Sequence, residues 1–191
     1  MSEWWSYRPG DFLMFSPRVY TRLFELVNEA WWPLHLLVLP AGLLGLAALA
    51  RGRGWRACGA GLGITWLFCV AVFLHTRYLP INWAVAGLLP GLLLLAGLLP
   101  VLAWNAEMAP PVGKPARGVA VALAVWALLL HPLLAPLAGQ SWRQAEVFAL
   151  APDPTAIATL SLLVALPRPT ARRWRVLVTV AWLLVLSWVA F

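Results

Sequence analysis

The sequence predicts an all-α membrane protein: six transmembrane helices preceded by an N-terminal amphipathic interfacial helix. Three observations carry that prediction. Hydrophobic residues make up 62% of the chain and the mean hydropathy is +0.81. Charged residues make up only 11%, against about 25% in a soluble domain, and no polar stretch is long enough for a second, soluble domain. The apolar residues fall in long runs punctuated by short loops rich in Arg, Gly and Pro.

The chain starts with an aromatic arm carrying Trp4, Trp5, Tyr7, Phe12 and Phe15, residue types that settle at headgroup level. Met1-Ser-Glu-Trp-Trp lacks the basic and apolar regions of a signal peptide. Ser16-Pro17 reads as an N-cap and first helical residue. Tyr20, Leu23, Phe24, Val27 and Trp31 then recur at helical spacing, opposite Arg18, Arg22, Glu25 and Glu29. Residues 1–31 therefore form the arm and interfacial helix. Pro33 breaks it, because proline disfavours helical geometry at Trp32 and donates no hydrogen bond.

The bundle, residues 32–191, has expected spans at about 33–50, 57–75, 81–104, 119–138, 154–166 and 176–191. Asp153-Pro154 reads as the cap and first turn of the fifth span. The loops after spans 1, 3 and 5 hold Arg51, Arg53, Arg56, Lys114, Arg117, Arg168, Arg172, Arg173 and Arg175. Those after spans 2 and 4 hold only Arg77 and Arg143. The positive-inside rule then puts both termini on the periplasmic side of a bacterial inner membrane. The net charge of +7 is explained by these loops, and no basic, aromatic-interleaved helix points to nucleic acid. No convincing internal repeat is present.

That topology gathers polar residues into one outer layer: Asn28, Glu29, His35, His75, Asn82, His131, Glu146 and Asp153. Ionisable groups at membrane depth usually face the bundle interior or a watery cavity. Imidazoles at matched depth suit a transition metal, haem or a proton relay, so His35, His75 and His131 are the candidate ligands. Each has a structural alternative. His131 can bond a carbonyl freed by Pro132 or Pro136, His35 and His75 can be interfacial, Glu29 can pair with Arg22 or Arg18, and Asp153 can cap its helix. Gly59-x-x-x-Gly63 and Gly87-x-x-x-Gly91 are small-residue spacings for helix packing. Cys58 and Cys69 sit about 16 Å apart along one helix, which excludes a disulfide between them. No HExxH, CxxC, catalytic triad or phosphate loop is present, so no resident cofactor is predicted and no catalytic residue is assigned.

Asn28-Glu29-Ala30-x-Trp32-Pro33 resembles the entry motif of an uncharacterised family of bacterial integral membrane proteins, catalogued as a domain of unknown function. His75 followed by Ile81-Asn82, the His131-Pro132-Leu133-Leu134 segment, and Pro154-Thr155-x-Ile157-x-Thr159 extend the resemblance over about residues 20–165. The family pattern carries glutamine at the position of His35, an aromatic at His131 and often cysteine at Asp153. A three-histidine site would therefore not be family-wide. The resemblance implies a multi-span membrane protein and supplies no activity. The leading functional expectation is an accessory or structural subunit, with the bilayer and other membrane subunits as partners. A small transporter or channel for a metal ion, proton or small solute, and a haem or metal redox protein, are the alternatives.

Overall fold

The computed structural model describes residues 17–106 and 113–166, which are helical with no strand among them. The N-terminal arm, Ser16, the centre of the proline-rich loop, the basic loop from Pro167 and the expected sixth span lie outside the described residues.

Helix α1 is Pro17–Ala30. Trp31 forms a turn, Trp32–Leu34 is a single 3-10 turn containing Pro33, and α2 runs His35–Arg51. Gly52 closes α2 in the left-handed conformation, at φ 66°. Helix α3, Trp55–Cys69, continues as a wide π-helical stretch, Val70–Tyr78. Helix α4 is Leu89–Ala106. Helix α5, Lys114–Val125, continues through a π turn, Trp126–Leu130, and a 3-10 turn, His131–Leu133, into the short α6, Leu134–Leu137. Pro132 lacks the N–H that an α-helix would direct at the Leu128 carbonyl, so the helix loses regularity there. Helix α7 is Pro152–Ala165.

Three of these continuous stretches are long and apolar enough to cross a membrane: Trp32–Arg51, Trp55–Tyr78 and Lys114–Leu137. Leu89–Trp104 is apolar but shorter. The expected third span from residue 81 is corrected. Asn82 caps a separate 3-10 turn, Trp83–Gly87, through a bond from the Ala84 N–H, and only then does α4 begin.

The expected fifth span changes character more. Helix α7 has 14 residues, about 21 Å of rise against a hydrocarbon core of about 30 Å. It is the buried centre of the molecule, packed against α3 and α5. Its hydroxyls are stitched to its neighbours. Trp66 Nε1 donates to Thr159 Oγ1 at 2.8 Å, Thr159 donates to the Thr155 carbonyl at 2.8 Å, and Ser161 donates to the Ala120 carbonyl at 2.7 Å. Thr155 donates to the Ala151 carbonyl and accepts from the Ala149 N–H, 2.7 and 2.9 Å. That second bond holds Ala149 at φ 70°, a conformation that disfavours a side chain. Asp153 is not the cap. Ala151 takes the N-cap position and Pro152 opens the helix, so Asp153 sits inside the first turn.

Helices α3 and α4 form the closest backbone pair. A Cβ on Gly59 would lie 2.8 Å from the Leu99 carbonyl oxygen, and one on Gly63 would lie 2.7 Å from that of Ala96. Gly59-x-x-x-Gly63 is thus an internal packing face. Gly87 is not part of one, since it ends a 3-10 turn with open space around it, while Gly91 lies in α4 half-buried. At the end of α2, the Arg117 guanidinium lies against Gly52, so the two described basic loops meet at one end of the molecule. Both cysteines are free.

Helix α1 packs its apolar stripe against the α3 stretch. Phe24 stacks on Phe73 at 4.7 Å between centroids, Tyr20 meets Phe24 and Tyr78 edge-on, and Trp31 meets Phe68. Leu23, Phe24 and Val27 are buried by these contacts. Ring pairs of this kind add directional attraction to burial.

Candidate functional site

The end of the molecule opposite the described basic loops carries two polar groupings, both organised by the loop from Gly139 to Ala151. A capping box starts the loop's ordered part. Ser141 accepts from the Arg143 N–H and Gln144 reaches back to the Ser141 N–H, fixing the 3-10 turn Trp142–Gln144.

The first grouping joins α1 to that turn. Asn28 Nδ2 donates to the Arg143 and Ala145 carbonyls, each at 2.8 Å. With both amide N–H bonds committed, Asn28 Oδ1 faces His35 Nε2 at 3.2 Å, and His35 Nδ1 faces the Trp32 carbonyl at 2.8 Å. The Arg143 guanidinium meets Glu29 at 3.1 Å, so Glu29 pairs with a residue far along the chain and not with Arg18 or Arg22. Arg22 instead pairs with Glu25 at 2.7 Å, and that hydrogen bond holds the Glu25 carboxyl below its usual range. Asn28, Glu29, His35, Arg143, Trp32 and Trp142 sit around a half-open cleft of about 750 Å³.

The second grouping is His131, Glu146 and Asp153. His131 Nε2 and Glu146 Oε2 are 3.1 Å apart. One ligand atom from each of the three residues lies within 4.8 Å of the others. Each residue comes from a different local environment. The irregular turn at Pro132 aims His131, the loop presents Glu146, and the first turn of α7 presents Asp153. Burial, with the nearby Glu146 charge, pushes the Asp153 carboxyl up to about 6, and His131 opposes that rise. Burial and the same two carboxylates also raise the Tyr20 phenol. His131 Nδ1 is buried with no hydrogen-bond partner among the described residues, a costly state for a polar nitrogen.

The remaining candidates lie apart. His75 is exposed at the end of the π-helical stretch. Asn82 is buried, bonding the Tyr78 hydroxyl at 2.9 Å while capping its turn. Thus the three histidines do not form one set of ligands. His35 faces two protein oxygens and His131 joins two carboxylates. The pairing of Glu146 and Arg143 with the predicted residues was not readable from spacing, although the Ser141-x-x-Gln144 box does announce an ordered turn.

No curated protein and no solved structure matches this sequence. One family model does, over residues 18–190, described as a family of unknown function, DUF6064. The match spans α1, the cleft, the His131 grouping and α7, and the chain belongs to the DUF6064 family.

Proposed function

We propose that this protein is a multi-span bacterial inner-membrane protein, termini periplasmic, that binds a divalent transition-metal ion at its outer face through His131, Glu146 and Asp153. The observation that carries this reading is the convergence of one ligand atom each from His131, Glu146 and Asp153 to within 4.8 Å of one another. A mixed N/O donor set suits zinc and neighbouring first-row ions. Three protein ligands leave a fourth position for water or a transported or reacting group. A metal would also satisfy the two carboxylates that crowd one another. Haem fits less well, because His35 already faces two protein oxygens and His75 is exposed. Isothermal titration of detergent-purified, chelator-stripped protein with zinc tests the reading. Stoichiometric binding is expected, weakened about 10- to 100-fold in Glu146→Gln and His131→Gln. Unchanged binding in both variants, or none in the wild type, overturns it.

A second reading, an accessory subunit of a larger membrane complex, is favoured by the outer flank of α2 and α3. Leu36, Leu37 and Leu44 are exposed. Between the helices runs an apolar groove of about 470 Å³ whose lining includes Gly45 and Gly61. A Cβ added at either glycine would meet nothing within 4 Å among the described residues. Small residues of this kind admit a closely approaching helix. Purification in mild detergent is expected to retain a second membrane protein at fixed stoichiometry; a monodisperse lone species counts against the reading. A transport path entered through Glu29, His75 and Asp153 together draws no support, since the cleft reaches Glu29 but is not lined by the other two.

A further inference from the structure

The cleft beside α1 is separate from the metal-ligand grouping, and it has the form of a lipid site. One wall is apolar, built by Leu39 of α2 and by buried Leu128 and exposed Leu129 and Leu133 of the helix that leads into α6. Two exposed indoles, Trp32 and Trp142, stand at its edge, the side chains that anchor at the headgroup level. Its polar end presents both signs of charge. Glu29 and Arg143 pair at 3.1 Å, yet Arg143 is 70% exposed and Glu29 44% exposed, so each keeps hydrogen-bonding capacity directed outward. His35 closes the polar end behind them, its ring bonded to Asn28 and to the Trp32 carbonyl.

An apolar slot of this size that opens between two spanning-length helices, with a cation and an acid side by side at its mouth, matches an amphiphile. The acyl chain takes the leucine wall. The headgroup must carry an anion for Arg143 and a hydrogen-bonding cation for Glu29. A phosphate joined through a short linker to a primary ammonium supplies both. We infer that the cleft binds a phosphatidylethanolamine-type phospholipid, its phosphate at Arg143 and its ammonium at Glu29. The inference rests on the membrane reading but is independent of the metal.

Native mass spectrometry of the full chain, exchanged into nanodiscs of phosphatidylethanolamine, phosphatidylglycerol or phosphatidylcholine, tests it. The wild type is expected to retain one phosphatidylethanolamine after release, at least fivefold over the other two. Phosphatidylcholine has the same phosphate but no N–H on its ammonium, so Glu29→Gln is expected to erase the preference between those two lipids. Arg143→Gln is expected to reduce retention of every phospholipid. Leu129→Trp, which fills the apolar wall without touching the polar end, is expected to abolish the bound lipid. Equal retention of all three lipids, or retention indifferent to Leu129→Trp, overturns the assignment. Zinc binding measured on the same Leu129→Trp sample reports separately on the His131 grouping and on whether the variant is folded.

Discussion

Asp153 gives the fold a pH dependence whose sign follows from its surroundings. An unfolded aspartate titrates near 3.8, and burial with the Glu146 charge lifts the folded value to about 6. A raised carboxyl contributes its stability fully below the unfolded value and loses it as pH climbs through the folded one. Metal-free protein is therefore expected to melt at higher temperature at pH 5 than at pH 7.5. The free-energy difference between those two pH values is about 1–1.5 kcal/mol, abolished in Asp153→Asn and reduced by zinc in the wild type. Thermal unfolding in detergent with and without chelator checks it. A second residue-scale test concerns Thr159. Its replacement by valine leaves the buried Trp66 indole N–H without an acceptor, an expected loss of about 1–3 kcal/mol by the same assay. The family-like run Pro154-Thr155-x-Ile157-x-Thr159 acquires a physical meaning here: its threonines hold α7 and Ala149 in place.

Elements separated by short-range sterics were legible in the sequence, and those shaped by partners were not. The bend at Pro33 is local, because the proline ring acts on its own neighbours, and α1 and α2 part there. Gly59 and Gly63 carry their packing role in their spacing. Gly63→Leu is expected to push α3 and α4 apart, since the obstacle is the Ala96 backbone oxygen and not a movable side chain. A loss of at least about 2 kcal/mol is expected on unfolding, with Gly61→Leu, facing open space, close to neutral. Helix α7 misled because apolar composition does not say whether the surrounding medium is lipid or protein. Fourteen residues without a charge beyond the first turn suit either one, and only the hydroxyls of Thr155, Thr159 and Ser161 hint at protein neighbours.

Across the described residues, polar side chains gather at two ends. Arg117 meets Gly52 at one end, while Asn28, Glu29, Arg143, Glu146 and Asp153 gather towards the other. What the sequence could not convey is which polar residues join. His131 lies 15 residues from Glu146 and Glu29 lies 114 from Arg143, separations at which spacing carries no information and chain topology decides. The polar residues therefore divide between the His131–Glu146–Asp153 grouping and the cleft beside α1, with His75 and Asn82 in neither.

The Asn28 contact also orders the events of biogenesis. Its amide closes on Arg143 and Ala145, 115 and 117 residues downstream, and Gln144 reaches Glu25 across 119. Translation at about 5–20 residues per second opens an interval of roughly 6–25 seconds. Throughout it α1 exists and its polar clasp does not. In that interval α1 can pack on the π-helical stretch through Phe73 and Tyr78, which are made before the loop, and the clasp closes afterwards. Asn28→Ala should lengthen that wait without altering the helices themselves. The measurable sign would be α1 becoming protease-protected late in freshly made wild-type chains and later still in the variant.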